Sequence, residues 1–236
     1  MKLTGQTALI TGGSKGIGRA TCLALAREGA NIVFAARDEG RIGETMEELK
    51  EMSGRALAVR ADVRYEEDVK RLISKAVDEF GGLDILVNNA GVAYRKPLVE
   101  TTLEEYDKIM DTNLKGIFLC TKYATPYIRN SKNGKIVNIS SGAGLHGIPE
   151  LSIYCASKSG VISITQSIAS ELESEIKVYA ICPGGVDTDM YRTLFGHKPQ
   201  LKPEHIARKV LELVSPDSNV ASGKIIEVYS PPIPHF

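Results

Sequence analysis

The chain has 236 residues, and its 29 Lys and Arg are balanced by 29 Asp and Glu, so its formal net charge is zero. A neutral chain has no overall field toward nucleic acid or an anionic membrane, and no apolar run approaches a membrane span, so we expect neither partner. The four cysteines and four histidines are scattered without ligand spacing, which argues against disulfides and metal sites and, with no signal-peptide pattern, predicts a cytoplasmic protein.

Apolar periodicity predicts strands that alternate with helices along almost the whole chain. The strands are predicted at 7–11, 31–36, 56–61, 84–88, 135–139, 176–182 and 224–229. The helices are predicted at 17–28, 39–52, 66–80, 102–130, 152–174 and 203–214. The first five strands are short apolar runs, as expected when both faces of a parallel sheet are covered. The pattern predicts an α/β fold in one domain over 1–236, with 186–202 as an irregular segment placed where a lid would lie.

The first strand ends in a glycine-rich turn, Thr11–Gly18. Gly12, Gly16 and Gly18 permit a tight turn and a close approach of backbone to a pyrophosphate at the start of a helix. The spacing G-x-x-x-G-x-G differs from the common dinucleotide fingerprint, and a sharp turn without a ligand is the alternative.

The second strand ends in Ala36 and Arg37, where dinucleotide folds that prefer NAD place an acid. Arg37, together with Lys15 of the glycine turn, favours the 2′-phosphate of NADP(H), with NAD(H) as the less favoured cofactor. The alternative is that Asp38 caps the next helix and Arg37 is merely exposed.

Two further turns follow strands three and four. Asp62 is interpreted mainly as a helix-start residue, with an adenine contact as the sharper alternative. Asn88–Gly91 is a polar turn whose amide side chains can brace the sheet edge beside a cofactor.

Tyr154 and Lys158 lie four residues apart in the first turns of a predicted helix, so they share a face. A neighbouring ammonium is expected to lower the pKa of the phenol and make it a proton donor and acceptor. Ser141, from the end of the preceding strand, can hold the oxygen that receives the proton. Taken alone, the pair is more often a solvated lysine beside a half-buried aromatic ring.

In combination these motifs resemble the short-chain dehydrogenase/reductase family over about residues 4–214. The resemblance rests on Thr11–Gly18, Asp62-Val63, Asn88–Gly91, Asn113, Ser141, Tyr154-x-x-x-Lys158, Pro183-Gly184 and Thr188. It implies a single-domain Rossmann-type, doubly wound parallel sheet of about seven strands, with a nicotinamide cofactor across its carboxyl edge.

The resemblance also implies a role for each site residue. Tyr154 would be the acid/base, Lys158 would lower its pKa and hold the nicotinamide ribose, Ser141 would position the carbonyl with Ser140 as the fallback, and Asn113 would organise a water. The implied cofactor contacts are Gly12, Ser14, Lys15, Gly16, Ile17, Gly18, Arg37, Asp62, Val63, Asn89, Ala90, Gly91, Tyr154, Lys158, Pro183, Gly184, Val186 and Thr188.

The expected function is NADP(H)-dependent interconversion of a carbonyl compound and an alcohol. The alternatives are reduction of 3-oxoacyl groups on acyl carrier protein, which an acidic stretch at 171–175 disfavours, and a non-catalytic dinucleotide-binding redox sensor or scaffold. The substrate pocket is expected to be lined by 142–151, by Tyr94 and Arg95, and by Met190, Tyr191, Leu194 and Phe195, a mixed apolar and basic lining. The alternative is that Arg95 and Lys96 are solvated surface residues. The resemblance implies a homodimer or homotetramer formed by the 102–130 and 152–174 helices, although the Pro-rich C-terminus departs from the family pattern.

Overall fold

The computed structural model describes residues 1–52, 54–172 and 175–229, and within them seven parallel strands form one sheet. Their order across the sheet is β3-β2-β1-β4-β5-β6-β7. The strands are β1 (Thr7–Thr11), β2 (Asn31–Ala36), β3 (Ala56–Arg60), β4 (Ile85–Asn88), β5 (Lys135–Ile139), β6 (Lys177–Pro183) and β7 (Ile225–Val228). The helices are α1 (Gly16–Arg27), α2 (Glu39–Lys50), α3 (Glu66–Phe80), α4 (Leu103–Met110), α5 (Gly116–Ile128), α6 (Ser152–Glu171), α7 (Asp189–Phe195) and α8 (Pro203–Val214).

Helices cover both faces of the sheet, as the continuous apolar strands predict. Within β1, Ala8 and Ile10 join the core shared with α1, α2 and α8, whereas Leu9 joins the core shared with α3, α5 and α6. Alternate residues of a strand point to opposite faces, so one run of buried residues serves both cores. The prediction of a doubly wound parallel sheet is confirmed.

The predicted 102–130 helix is interrupted in its middle. α4 ends at Met110, a π-helical turn spans Asp111–Lys115, and α5 begins at Gly116. A π turn inserts an extra residue and changes the direction of the following side chains, and such turns are frequent at functional sites. Here the turn contains Asn113, which is fully buried.

The segment 186–202 is not irregular throughout, contrary to expectation, because it contains α7. Thr188 Oγ1 caps this helix by accepting a hydrogen bond of 3.2 Å from the backbone nitrogen of Tyr191. The segment is closed at its base, where the backbone nitrogen of Asp187 donates to the carbonyl oxygen of Leu201 over 2.8 Å. A helix of seven residues is too short to show helical periodicity in sequence.

Two sequence predictions concern residues that the structure does not describe. The Pro-rich C-terminus from 230 onward lies outside the described residues, as do 173 and 174 of the acidic stretch. Across 1–52, 54–172 and 175–229, no helix has both the length and the apolar character that crossing a bilayer requires.

Candidate active site

A cavity of about 740 Å³ lies along the carboxyl edge of the sheet. The strand order reverses between β1 and β4, which is where open α/β sheets bind ligands. Of the predicted cofactor residues, those that line the cavity are Gly12, Lys15, Gly16, Ile17, Asn89, Ala90, Gly91, Tyr154, Lys158, Pro183, Gly184, Val186 and Thr188. The remaining predicted contacts, Ser14, Gly18, Arg37, Asp62 and Val63, do not line it.

The glycine turn has the geometry of an anion site. Gly12 and Gly16 adopt left-handed backbone angles, φ of 66° and 51°, which favour glycine. A β-carbon on Gly18 would lie 2.1 Å from the carbonyl oxygen of Gly12, so α1 packs directly against the turn. The side chain of Lys15 does not cap α1, which leaves the first amides of the helix free for a phosphate. These features fit the pyrophosphate of a dinucleotide.

Asn89 braces the glycine turn from β4. Its Nδ2 donates hydrogen bonds to the carbonyl oxygens of Thr11 and Gly12, at 2.9 and 3.2 Å. Thr11 Oγ1 accepts hydrogen bonds from the backbone nitrogens of Asn89 and Ala90, both at 3.0 Å. The polar turn after β4 therefore fixes the shape of the cradle, as the bracing interpretation predicts.

Arg37 lies at the end of the site beyond β2. Its Nη1 lies 3.5 Å from Asp62 Oδ2, and both residues border a second, smaller cavity. Asp38 Oδ1 accepts from the backbone nitrogen of Arg41, so Asp38 caps α2 while Arg37 stays exposed to approach from solvent. Asp38 can therefore cap α2 while Arg37 remains available to a phosphate, so the two interpretations of this dipeptide are compatible.

Asp62 is not a helix-start residue, because α3 begins at Glu66 with Tyr65 at its N-cap. Asp62 instead accepts hydrogen bonds from the backbone nitrogen and the guanidinium of Arg64. Burial would raise the pKa of Asp62, but these bonds outweigh it and hold that pKa below its usual value. Val63 is buried against Gly116. A β-carbon on Gly116 would lie 2.8 Å from Val63 Cγ2.

Tyr154 and Lys158 both lie in the cavity wall at the start of α6. Lys158 Nζ donates a 2.8 Å hydrogen bond to the carbonyl oxygen of Ile139 and lies 5.8 Å from the centre of the Tyr154 ring. Burial lowers the pKa of Lys158 to about 8.

The expected lowering of the Tyr154 pKa is wrong. Burial raises the pKa of Tyr154, and the Ser141 side chain opposes that rise only in part. The ammonium is bonded to β5 and sits beside the ring, so its field does not dominate at the phenol oxygen. At neutral pH, Tyr154 is therefore a protonated donor.

The two adjacent serines have separate roles in the structure. Ser140 is buried, and its Oγ donates a 2.8 Å hydrogen bond to the carbonyl oxygen of Lys158. Ser141 is partly exposed to the cavity, and its Oγ accepts a 3.1 Å hydrogen bond from the backbone nitrogen of Ala143. Because this bond uses the Ser141 oxygen as an acceptor, the hydroxyl hydrogen remains able to donate to a ligand. This favours Ser141 over Ser140 as the carbonyl ligand.

Asn113 lies behind the cavity wall. Its Oδ1 accepts from the backbone nitrogen of Val92 at 2.8 Å, and its Nδ2 donates to the carbonyl oxygen of Val92 and to Ser157 Oγ, at 2.9 and 3.0 Å. Ser157 Oγ in turn donates to the carbonyl oxygen of Tyr154 at 2.7 Å. The side chain of Asn113 thus connects the turn after β4 to the helix that carries Tyr154, a link through Ser157 that the sequence did not predict.

The part of the cavity beyond Ser141 is mainly apolar and aromatic. Its lining includes His146, Ile148, Leu151, Met190, Tyr191, Leu194, Phe195 and Tyr229. Tyr94 and Arg95 do not line it. Arg95 instead pairs with Glu150 at 2.8 Å, and its guanidinium lies 5.3 Å from the centre of the Phe195 ring. The predicted basic lining is wrong at this position. The predicted lining by 142–151 is confirmed by His146, Ile148 and Leu151, whereas Tyr229 is a lining residue that the sequence did not predict.

Comparison with known proteins agrees with this arrangement. The family model described as short chain dehydrogenase matches residues 6–198. A 3-oxoacyl-(acyl carrier protein) reductase of Thermotoga maritima is 34% identical over 97% of this chain and 98% of its own length. A reductase of the same name from Staphylococcus aureus is 39% identical over 94% of this chain and 89% of its own.

Solved structures have the same fold. A short-chain dehydrogenase from Burkholderia cenocepacia, solved in complex with NADP, has a TM-score of 0.90 and 29% identity, covering 97% of this chain and 98% of that one. A short-chain type dehydrogenase/reductase from Mycobacterium marinum has a TM-score of 0.91 and 31% identity, covering 97% and 95% of the two chains.

Proposed function

This chain belongs to the short-chain dehydrogenase/reductase family, and from that premise we propose that Tyr154, Ser141, Lys158 and Asn113 carry its chemistry. The protein is an oxidoreductase that uses NADP(H) to interconvert a carbonyl group and an alcohol. The observation that supports the proposed residues is that Tyr154, Ser141 and Lys158 share one cavity wall with Pro183 and Gly184.

NADPH, when bound, supplies the hydride that adds to the carbonyl carbon. Tyr154 donates its hydroxyl proton to the carbonyl oxygen, and Ser141 donates a hydrogen bond to the same oxygen. The raised pKa of Tyr154 keeps it protonated, as the acid in the reduction must be. In alcohol oxidation, Tyr154 is the base and must first lose its proton.

Lys158 and Asn113 support this proton transfer. The lowered pKa of Lys158, about 8, allows the ammonium to exchange a proton near physiological pH and to restore the proton of Tyr154. Asn113 holds the turn after β4 and, through Ser157, the first turn of α6, so it fixes the distance between cofactor loop and acid. The proposed role of Asn113 toward a water rests on the resemblance alone, because its side-chain amide bonds protein groups.

Reduction of a 3-oxoacyl thioester is the second candidate substrate reaction. The relatives in Thermotoga maritima and Staphylococcus aureus carry that name, which favours it. Arg129, a basic residue near the end of α5, is already paired with Glu175. This pairing reduces the positive charge that the surface offers to an acidic carrier protein.

We further propose a cytoplasmic homodimer or homotetramer in which residues 1–236 act as one domain and 186–202 as its substrate segment. The four cysteines are free and buried, which suits a reducing compartment. Exposed apolar side chains on and near α4 and α5 support assembly through these helices; they are Leu98, Val99, Leu103, Tyr106, Phe118 and Tyr127.

The proposed function is tested with a panel of ketones, aldehydes and an acetoacetyl thioester, each with NADPH and NADH. Oxidation of the cofactor is followed by its loss of absorbance. The proposal expects turnover of at least one carbonyl class with NADPH preferred. Absence of turnover across the panel by a protein that binds NADPH would favour the sensor or scaffold.

A further inference from the structure

Tyr229 follows β7 and rests its ring on two glycines of the active site. A β-carbon on Gly142 would lie 3.0 Å from Tyr229 Cε1 and 3.3 Å from its hydroxyl oxygen. A β-carbon on Gly184 would lie 3.0 Å from Tyr229 Cδ1. All three distances are shorter than ordinary van der Waals contacts, so a side chain at either position would push against the ring.

The position of the ring is significant because of what adjoins the two glycines. Gly142 follows Ser141, the proposed carbonyl ligand, and Gly184 follows Pro183, a proposed nicotinamide contact. Tyr229 also lines the cavity, yet 51% of its surface is exposed. A large aromatic surface that is open inside a concave site is available to a ligand.

The neighbouring lining offers apolar and aromatic surface. Tyr191 and Phe195 of α7 pack together with ring centres 4.7 Å apart. Arg192, the cation of α7 that lines the cavity, is bonded by both Asp187 and Asp189 and is not free for an anionic substrate group. Burial, together with the interaction with Glu227, raises the pKa of Tyr229 to about 12, so its hydroxyl stays neutral.

Resting on the proposed carbonyl reduction, we infer that Tyr229 is a substrate-positioning residue and that the site takes a neutral carbonyl compound with a flat ring beside the carbonyl carbon. The ring of Tyr229 supplies the stacking surface next to Ser141. A flat ring placed there keeps the carbonyl group in one orientation, whereas a flexible chain gains less from the same contact.

The test compares acetophenone with 2-octanone, which have equal carbon number, using NADPH as reductant. The variants are Tyr229→Leu, which removes the ring, and Tyr229→Phe, which keeps it. Tyr65→Leu makes the same change at an exposed tyrosine outside the cavity lining and outside the proposed assembly surface, and serves as control. Affinity for NADPH is measured separately by fluorescence titration.

The parent protein is expected to prefer acetophenone in kcat/KM, and Tyr229→Leu is expected to lower that preference about fivefold, mainly through KM, as loss of one aromatic contact implies. Tyr229→Phe and Tyr65→Leu should keep the preference within about twofold of the parent, since neither removes the stacking ring. An unchanged preference in Tyr229→Leu, an equal loss in Tyr229→Phe, or weaker NADPH binding in Tyr229→Leu overturns the inference.

The two proposals fail in different ways. If the parent reduces 2-octanone or an acetoacetyl thioester at least as well as acetophenone, the inference about Tyr229 is wrong and carbonyl reduction stands. If the parent binds NADPH and reduces no ketone, aldehyde or thioester of the panel, the proposed function itself is wrong; if it reduces other members of the panel but not acetophenone, only the inference about Tyr229 is wrong.

Discussion

The Ser140 hydroxyl donates a 2.8 Å hydrogen bond to the backbone carbonyl oxygen of Lys158, and so ties the end of β5 to the first turns of α6. Ser141, the next residue, lies at the cavity surface instead. Ser140 therefore holds the two elements of the site together, and Ser141 lies where the proposed substrate carbonyl would bind.

Ser141→Ala is expected to lower kcat about 100-fold with little change in stability, because one donor to the developing oxyanion is lost. Ser140→Ala is expected to lower the free energy of unfolding by about 1 kcal/mol, because a buried carbonyl loses its donor. Steady-state kinetics and urea denaturation of both variants check this. Equal kinetic losses in both variants would contradict these separate roles.

Arg37→Ser is expected to raise the KM for NADPH about tenfold or more and leave the KM for NADH nearly unchanged, since a charge-assisted contact to the 2′-phosphate is lost. The control is Arg55→Ser, because Arg55 is also an exposed arginine paired with a carboxylate, that of Glu79, but lies before β3 and not after β2. An equal rise of the KM for NADPH and for NADH would mean that Arg37 does not bind the 2′-phosphate.

The buried side chain of Lys135 is expected to make the stability of the protein depend on pH. It is buried at the start of β5, and burial, with a smaller contribution from Lys177, lowers its pKa to about 8. The folded state therefore binds fewer protons than the unfolded state between pH 8 and the ordinary lysine pKa of about 10.4, so this residue makes stability rise with pH across that window.

Below pH 8, Lys135 is charged in its buried position, and this lowers the free energy of unfolding by an amount that does not change with pH. Lys135→Met is thus expected to increase the free energy of unfolding at pH 7 by about 1–2 kcal/mol and to flatten the rise above pH 8. Denaturation from pH 6 to 10.5 measures both effects. Lys132→Met, at an exposed neighbour, is the control, and an identical pH profile in parent and Lys135→Met would contradict the prediction.

Gly18 is expected to tolerate no side chain, although it lies in α1. Because a β-carbon there would lie 2.1 Å from the Gly12 carbonyl oxygen, Gly18→Ala should destabilise the protein by about 2–3 kcal/mol and weaken NADPH binding. Gly43 in α2 has open space around its β-carbon position, so Gly43→Ala should be neutral or stabilising by up to about 1 kcal/mol. Thermal unfolding of Gly18→Ala and Gly43→Ala measures the difference in stability between the two variants.

Much of the fold was predictable because its signals are local. The buried strands, the glycine turn and the four-residue spacing of Tyr154 and Lys158 are each contained within a few turns of chain, and the structure places that pair on one cavity wall. Repeated alternation of strand and helix then leaves few topologies open.

The remaining features depend on contacts between distant segments. The position of Tyr229 against Gly142 and Gly184 joins residues more than forty apart in the chain, so no local sequence pattern predicts it. The raised pKa of Tyr154 follows from burial, which residue spacing does not reveal.

The most direct test of the proposed chemistry is hydride transfer by Tyr154→Phe in a single turnover, with NADPH and a ketone that the parent reduces. The variant should bind NADPH within about twofold of the parent and transfer hydride at least about 1,000-fold more slowly, because the proton donor is gone while the cavity keeps its shape. Hydride transfer within about tenfold of the parent rate would show that Tyr154 is not the acid, since general acid catalysis is worth about 100-fold or more.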